Sequence, residues 1–243
     1  MDTAYSAEGD KTLENLHKAN RFTDWMYAQV KPHLKGDILE IGSGIGTYSE
    51  KIIRNFPESK ITLSEIDPSY RRILASKFEG SDRRIKVTAL DLQSAAHFQD
   101  DNIAGKFDSC FALNVLEHVK DDTMALKNIC NALVPGGVFV VLVPAHPLLF
   151  NNLDVAFGHY RRYTKKYFRN IVANTDFKLE KMFMFNVLAI PGWFVNGTIL
   201  QKKTLDEGSL KLFNYLVPFL DFTEKIIFRQ KIGISLIAVL KKI

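Results

Sequence analysis

One stretch, from Asp37 to Tyr48, constrains the fold more than any other part of this 243-residue chain. Its first residues are mostly apolar, which is typical of a short parallel strand that is buried on both faces. Three glycines then recur at alternate positions, Gly42, Gly44 and Gly46, before a helical pattern begins. Glycine is needed where the backbone takes a positive φ or comes close to a ligand. The stretch therefore predicts a strand, a glycine turn and a helix whose free N–H groups favour a negatively charged group.

An acidic residue accompanies the glycines and narrows the class of ligand. Glu40 stands just before Gly42 at the end of the predicted strand, where a carboxylate suits a cationic group and not a pyrophosphate. A dinucleotide-binding turn follows G-x-G-x-x-G and needs a third glycine where this chain has Thr47. A tight strand–helix turn without a ligand is the alternative, but three glycines together with an acid favour a ligand.

Several segments resemble the class I S-adenosylmethionine (SAM)-dependent methyltransferases. Their first motif is matched by Glu40-Ile-Gly42-Ser-Gly44-Ile-Gly46, their fourth motif by the segment 107–119, and the entry to their fifth strand by the segment 133–141. The segment Gly-His-Tyr-Arg-Arg-Tyr at 158–163 and the C-terminal segment 233–242 resemble a small-molecule, type 11/12-like subgroup. The resemblance implies SAM as the cofactor and a small molecule as the methyl acceptor.

The order of the elements predicts the fold. Apolar strands alternate with helical segments over five strands, which indicates a parallel α/β sheet. The resemblance implies a Rossmann-like class I methyltransferase fold, with a seven-stranded, mostly parallel sheet, an antiparallel last strand and helices on both faces. Residues 1–35 are predicted to form a helical leader and residues 36–243 the methyltransferase domain, with a helical insert at 186–231 between the sixth and seventh strands.

The leader and the insert each leave alternatives open. The leader either covers the cofactor and substrate or packs on the edge of the sheet. The insert is predicted to form a lid over the substrate. Its alternatives are a part of the core, or a surface that faces a membrane or a second copy.

The ends of the predicted strands supply candidate cofactor ligands. Glu65 ends the second strand about 20 residues after the last glycine, where doubly wound sheets place a carboxylate for the ribose hydroxyls. Asp67 is the rival, but a proline follows it and favours a helix cap. Ile66 would then lie against one face of the adenine.

Two later strand ends extend this predicted site. Asp91 ends the third strand and would accept a hydrogen bond from the adenine amine, with Leu92 against the ring, unless Asp91 only caps a helix. Asn114 and Leu116, at the tip of the fourth strand, are expected to line the methionine end of the cofactor. The dipeptide Glu117-His118 is expected mainly to orient this loop, although the imidazole is a conceivable base.

Candidate catalytic residues follow the fifth strand, at the edge of the sheet where α/β proteins bind substrates. His159 is predicted to be a general base or a substrate-orienting residue, since a histidine side chain can take a proton from a hydroxyl or amine nucleophile. Tyr160 and Tyr163, with Arg161, are predicted to hold the substrate. The alternative is a hydrogen-bonded loop that only shapes the pocket. No group of His, Cys and Asp residues has the spacing of metal ligands, so the sequence predicts no metal site.

Composition limits the partners. The chain is 47% hydrophobic with a net charge of +5, and its two cysteines lie in apolar segments, which is typical of a reduced, cytoplasmic protein. The basic residues are dispersed, so no nucleic-acid partner is expected. The apolar insert predicts contact with a lipid-like substrate or peripheral contact with a membrane surface, because it also contains the basic residues Lys202, Lys203, Lys225 and Arg229.

The predicted function is transfer of a methyl group from SAM to the oxygen, nitrogen or carbon of a small aromatic or hydrophobic acceptor. The alternatives are a methyltransferase that acts on a protein or RNA, a nicotinamide-dependent oxidoreductase, and a non-catalytic SAM-binding partner subunit. Thr47 argues against the oxidoreductase, and the lack of a Pro-Pro motif after the fourth strand argues against RNA. The acceptor and the oligomeric state stay open.

Overall fold

A computed structural model describes residues 7–80, 82–224, 226 and 230–243, with the backbone alone at residues 7–11 and 13. Two of the predicted basic residues, Lys225 and Arg229, lie outside the described residues. The strands are β1 (Ile38–Ile41), β2 (Ile61–Ser64), β3 (Ile85–Thr88), β4 (Phe107–Leu113), β5 (Leu133–Pro144), β6 (Phe177–Phe185) and β7 (Ser235–Lys242). The α-helices are α1 (Ala7–Lys18), α2 (Asn20–Val30), α3 (Ser49–Asn55), α4 (Pro68–Leu74), α5 (Asp122–Ala132), α6 (Asn152–Phe157), α7 (Lys165–Ala173), α8 (Ala189–Phe194) and α9 (Glu207–Thr223).

The strands form one sheet in the order β3-β2-β1-β4-β5-β7-β6. The first five strands run parallel, and β7 is antiparallel to both β5 and β6. The predicted α/β class, the seven strands and the antiparallel last strand are therefore confirmed. The strand order reverses between β1 and β4, where Ile41 pairs with Ala112. A ligand crevice is expected at this reversal, outside the carboxyl ends of the two strands.

Apolar side chains fill both faces of the sheet and fix the helices there. On one face, Leu126 of α5 and Phe168 of α7 belong to a buried cluster with the sheet residues. On the other face, Met26 of α2, Ile52 of α3 and Val217 of α9 belong to a second cluster. Burial of a Leu, Ile, Val or Phe side chain contributes about 1.5–3 kcal/mol, so these two clusters hold the helices in a three-layer arrangement.

The fifth strand begins earlier than the sequence predicts. Pro135-Gly136-Gly137 reads as a helix stop that precedes a strand from Val138, but β5 already starts at Leu133. Leu133 pairs with Phe107, and the register then shifts before Val138 pairs with Ser109. The proline and glycines therefore form an irregularity inside the strand, and Gly136 takes the positive φ of 74° that this requires.

The leader and the insert pack against each other over one face of the sheet. The indole N–H of Trp25 in α2 donates to Asp221 of α9 at 2.7 Å, and the Phe22 ring meets the Phe213 ring edge-on at 5.2 Å. The insert is fastened at its base because Glu224 accepts a hydrogen bond from the backbone N–H of Asn186 at 2.7 Å. Among the described residues, no helix is both long and apolar enough to cross a membrane.

Candidate active site

The glycine turn has the backbone geometry that the sequence predicts. Gly42, Gly44 and Gly46 all have positive φ, at 70°, 54° and 90°. A Cβ on Gly46 would lie 2.8 Å from the ring of Phe78, so this glycine lets two elements pack closely. A Cβ on Gly44 would meet nothing within 4 Å, and this glycine lines a cavity. The turn therefore presents bare backbone to an open space.

Glu40 is a buried acid at the edge of that cavity. The residue is only 2% exposed, and its carboxylate accepts a hydrogen bond of 2.5 Å from the hydroxyl of Ser49. Burial raises the pKa of Glu40 to about 8; the Ser49 hydrogen bond opposes this rise, and the nearby charge of Glu65 adds to it. A cationic ligand group beside Glu40 would favour its ionised form.

Glu65 and Asp67 take different roles in the structure. The Glu65 carboxylate is buried and accepts hydrogen bonds from the backbone N–H groups of Gly44, at 2.8 Å, and of Asp67. Burial raises the pKa of Glu65, and these hydrogen bonds partly offset that effect. Asp67 is the N-cap of α4, since its side chain accepts from the N–H groups of Ser69 and Tyr70. Glu65 is therefore the acid that touches the glycine turn.

The cavity lies at the reversal of strand order and has a volume of about 350 Å³, within the usual range for small-molecule sites. The leader, the glycine turn, the loop after β4, the segment after β5 and the insert all contribute to its lining. Among the lining residues are Leu16, Phe22, Met26, Glu40, Gly42, Gly44, Asn114, His118, Phe157, His159, Arg162, Trp193, Leu210 and Phe213.

The other predicted cofactor residues are divided between this cavity and its surroundings. Asn114 lines it, with a φ of 54° that asparagine tolerates well. Leu92 and Leu116 are buried in the core cluster that contains α5 and α7. Asp91 accepts from the backbone N–H of Gln93 at 2.9 Å. Their predicted contacts with an adenosine stay predictions, as does the contact of Ile66, which is 38% exposed.

Asp154 joins the candidate catalytic residue His159 to Arg162 and to the start of α6. Its carboxylate is fully buried, lies 2.8 Å from Nδ1 of His159 and accepts from Nε of Arg162 at 2.8 Å. It also accepts from the backbone N–H of Asn151 and so closes a capping box at the start of α6. Burial opposes ionisation of Asp154, but His159 and Arg162 hold its pKa below the usual value. The sequence reasoning gave Asp154 no role.

Glu117 and His118 stand on the other side of His159. Both carboxylate oxygens of Glu117 are buried without a hydrogen-bond partner among the described residues, and Oε1 lies 3.9 Å from Nε2 of His159. Burial raises the pKa of Glu117 to about 7, although His159 and Arg162 favour its charged form. Burial and the neighbouring His159 lower the pKa of His118 to about 3. The rings of His118 and His159 meet edge-on at 4.8 Å.

The two candidate tyrosines lie away from the cavity. Tyr163 is fully buried, and its hydroxyl donates to the backbone oxygen of Leu116 at 3.2 Å. Tyr160 is 58% exposed, and its backbone N–H donates to the backbone oxygen of Glu117. Arg161 forms an ion pair with Asp122 at 2.9 Å. These residues tie the segment after β5 to the loop after β4. His159 lines the cavity, whereas neither tyrosine is among its lining residues.

Comparison with known proteins connects this site with one enzyme family. A family model described as a methyltransferase domain matches residues 39–139. Malonyl-[acyl-carrier protein] O-methyltransferase 1 of Ilyobacter polytropus is 24% identical over 227 residues, which are 84% of this chain and 81% of that protein. Residues 39–139 thus resemble a methyltransferase domain, and the similarity to a methyltransferase extends, at 24% identity, over most of the chain.

Solved methyltransferases share the fold. Phosphoethanolamine N-methyltransferase 2 of Haemonchus contortus, in complex with SAM, has a TM-score of 0.61 at 16% identity and covers 93% of this chain and 56% of its own. Geranyl diphosphate C-methyltransferase of Streptomyces coelicolor, in complex with S-adenosyl-L-homocysteine, has a TM-score of 0.64 at 10% identity and covers 90% and 76%. These neighbours show the fold of the chain, and the buried acid Glu40 beside the open Gly44 suits a ligand that carries an ammonium group.

Glu40 makes the free energy of unfolding of the protein without bound cofactor depend on pH. Because its folded-state pKa is about 8 and its usual value is 4.5, the stabilisation is complete below about pH 4.5 and is lost as the pH rises towards 8. Within that window, we expect Glu40 to lower the free energy of unfolding by about 1.4 kcal/mol for each pH unit, in addition to the contributions of other titrating groups. Urea unfolding of Glu40→Gln should lack this slope, and Glu50→Gln, at an exposed position of α3, should retain it. Equal slopes in the wild type and Glu40→Gln would contradict the assignment.

Proposed function

We propose that this enzyme transfers the methyl group of SAM to a small-molecule acceptor with a largely apolar body. The observation that carries the proposal is the shared cavity, which is lined by both the glycine turn and His159. Apolar side chains of the leader and the insert, among them Met26, Trp193 and Phe213, line it as well. Such a lining favours an aromatic or aliphatic acceptor over a strongly polar one.

We infer that residues at the carboxyl ends of β1 and β2 supply the polar contacts to the cofactor. Glu40 would pair with the ammonium group of SAM, and Glu65 would accept from its two ribose hydroxyls. The N–H groups of the glycine turn would face its carboxylate. Asp91 with Leu92, Ile66, Asn114 and Leu116 complete the proposed set as the family resemblance implies.

For the acceptor, we infer that His159 is the residue that directs the nucleophile. When bound, SAM supplies an activated methyl group, so the protein must align the acceptor and manage at most one proton. Asp154 fixes the imidazole of His159 through Nδ1 and leaves Nε2 for another partner. Arg162 is neutralised by the same carboxylate and stacks over Trp193 at 4.5 Å, which stiffens the wall beside His159.

The atom that is methylated stays open among oxygen, nitrogen and carbon. The similar proteins are named for O-, N- and C-methylation, so they do not favour one chemistry. A methyltransferase acting on a protein or RNA is the second candidate, and the largely apolar lining of the cavity argues against so large and polar an acceptor.

Calorimetric titration with S-adenosyl-L-homocysteine tests the cofactor site. We expect micromolar binding by the wild type and no binding of NADH. Glu65→Gln should weaken binding about tenfold to a hundredfold, because it loses charge-assisted hydrogen bonds to the ribose. Asp67→Ala is the matched control, since this variant loses only the cap of α4. A larger loss in Asp67→Ala than in Glu65→Gln would show that the ribose carboxylate has been misplaced.

Substitution of His159 tests the acceptor site. Once a screen of aromatic and lipid-like alcohols and amines has found an acceptor, His159→Asn should lower kcat about a hundredfold. Its affinity for S-adenosyl-L-homocysteine should change by less than about twofold, because the proposed cofactor contacts lie elsewhere. The control Tyr160→Phe should keep the wild-type rate. Full turnover by a folded His159→Asn protein would remove the proposal.

We also propose that the insert contacts a membrane surface with anionic lipids. The helix α9 is apolar on two faces: Val217 and Leu220 are buried, whereas Phe219 and Phe222 are 62% and 60% exposed. Leu212, Tyr215 and Leu216 extend this exposed stripe along the same helix. A helix surface of this kind indicates an interaction site, and the net charge of +5 favours an anionic surface.

Vesicle co-sedimentation tests this contact. We expect the methyltransferase to bind vesicles of phosphatidylcholine with phosphatidylglycerol, and Phe219→Asp to reduce the bound fraction several-fold because it places a charge in the apolar stripe. Met124→Asp changes an exposed apolar residue of α5, which packs on the opposite face of the sheet, and should bind as the wild type does. Equal binding by the two variants, or none by the wild type, would refute the contact.

A further inference from the structure

Three potential metal ligands come together behind the proposed acceptor site. They are Glu117, His118 and His159, and one ligand atom of each lies within 4.8 Å of the others. Glu117 and His118 belong to the loop after β4, whereas His159 belongs to the segment after β5. Two imidazoles and one carboxylate are a donor set that divalent transition ions accept.

From this cluster we infer that the protein holds a divalent transition-metal ion between Glu117, His118 and His159, next to the acceptor cavity. The inference goes beyond the proposed function, which assigns no metal. It is independent of SAM, because none of the three residues belongs to the proposed cofactor contacts.

The state of Glu117 is the first reason for this assignment. Its carboxylate is fully buried, and both oxygens lack a hydrogen-bond partner in the described part of the chain. Burial of an unpaired carboxylate is costly unless a cation compensates it. The nearby Arg162 is already engaged by Asp154 through two contacts of 2.8 and 3.0 Å. A cation beside Glu117 would compensate the two carboxylate oxygens that have no hydrogen-bond partner among the described residues.

The orientation of His159 is the second reason. Its Nδ1 lies 2.8 Å from Asp154, and its Nε2 faces Glu117 at 3.9 Å. Histidine ligands commonly donate one ring N–H to a carboxylate and bind the ion through the other nitrogen. Asp154 therefore occupies the position of an outer carboxylate that fixes the tautomer of a metal-binding imidazole.

The three ligand atoms could bind one ion if their side chains moved slightly closer together. Zinc binds imidazole nitrogen and carboxylate oxygen at about 2.0–2.2 Å, so two ligands of one ion lie roughly 3–3.5 Å apart. The 3.9 Å between His159 and Glu117 is close to that separation. The longest separation, which is bounded by 4.8 Å, requires the side chains to approach by about 1.8 Å at most.

Three protein ligands would leave coordination positions open towards the cavity, which both His118 and His159 line. An oxygen atom of the acceptor is the natural further ligand, since metal sites with open positions bind substrates directly. The inference thus narrows the acceptor to molecules that carry a hydroxyl, carbonyl or carboxylate oxygen near the methylated atom.

Metal titration of the full chain, in the absence of SAM and acceptor, tests the site. After treatment with a chelator, the protein is titrated with zinc chloride by calorimetry, and with cobalt chloride by visible absorption, which reports the ligand geometry. We expect one ion per chain with micromolar or tighter affinity. Glu117→Gln and His118→Asn should each weaken binding at least about tenfold. His146→Asn, which changes an exposed histidine outside the cluster, should bind as the wild type does.

The outcomes separate this inference from the proposed function. Absence of one-to-one binding, or equal affinity in Glu117→Gln and His146→Asn, would overturn the metal site and leave Glu117 as an ion-pair partner of His159. Binding of S-adenosyl-L-homocysteine should be unchanged in Glu117→Gln and His118→Asn. If the wild type does not bind S-adenosyl-L-homocysteine, the proposed function is overturned, but the metal site is not.

Discussion

The left-handed backbone of the glycine turn is the constraint on which the proposed cofactor side of the cavity depends. Positive φ at Gly42, Gly44 and Gly46 turns the chain sharply after β1. This turn brings the N–H of Gly44 to the carboxylate of Glu65 while Glu40 stays at the cavity edge. Two buried acids are thereby held near enough for the charge of Glu65 to raise the pKa of Glu40. The cofactor-free site carries an electrostatic cost that a cationic ligand relieves, so the fold itself favours such a ligand.

A second buried carboxylate organises the acceptor half in a different way. Asp154 accepts from a backbone N–H and from Arg162 and also contacts His159, so one side chain fixes the start of α6, the wall of the cavity and the orientation of an imidazole. Its lowered pKa reflects His159 and Arg162, whereas burial raises the pKa of Glu117 more than the same two residues lower it. A satisfied acid and an unsatisfied acid therefore lie on two sides of one histidine, and this contrast is typical of a functional site.

Local patterns predicted the sheet well because each strand carries its own apolar run and each turn its own glycine or proline. The alternation of the first five strands with helices and the cap at Asp67 are signalled by neighbouring residues, whereas the reversal of strand order between β1 and β4 appears only in the structure. The residues of the proposed acceptor site carry no such local signal. Glu117, His118 and His159 come from two loops that the β4–β5 pairing brings together, so no ligand spacing appears along the chain. The tyrosines show the converse, since their type indicates chemistry, but Tyr163 is buried and its hydroxyl donates to the backbone oxygen of Leu116. Asp154 had a local signal, an acid that falls three residues after an asparagine cap and five before a histidine, but acids in the first turn of ordinary helices commonly follow such a cap.

The leader and the insert connect these two halves, because both line the same cavity and are fastened to each other. The Trp25–Asp221 hydrogen bond and the Phe22–Phe213 contact join α2 to α9, and Trp25 also packs on Phe185 at the end of β6, 4.4 Å between ring centroids. Apolar walls of this kind exclude water, which strengthens the interactions of Glu40 with a cation and of Asp154 with His159. The proposed preference for an apolar acceptor has the same origin, since Phe22 of α2 and Phe213 of α9 line the cavity. Burial of the acids and the apolar lining are thus one property of the fold.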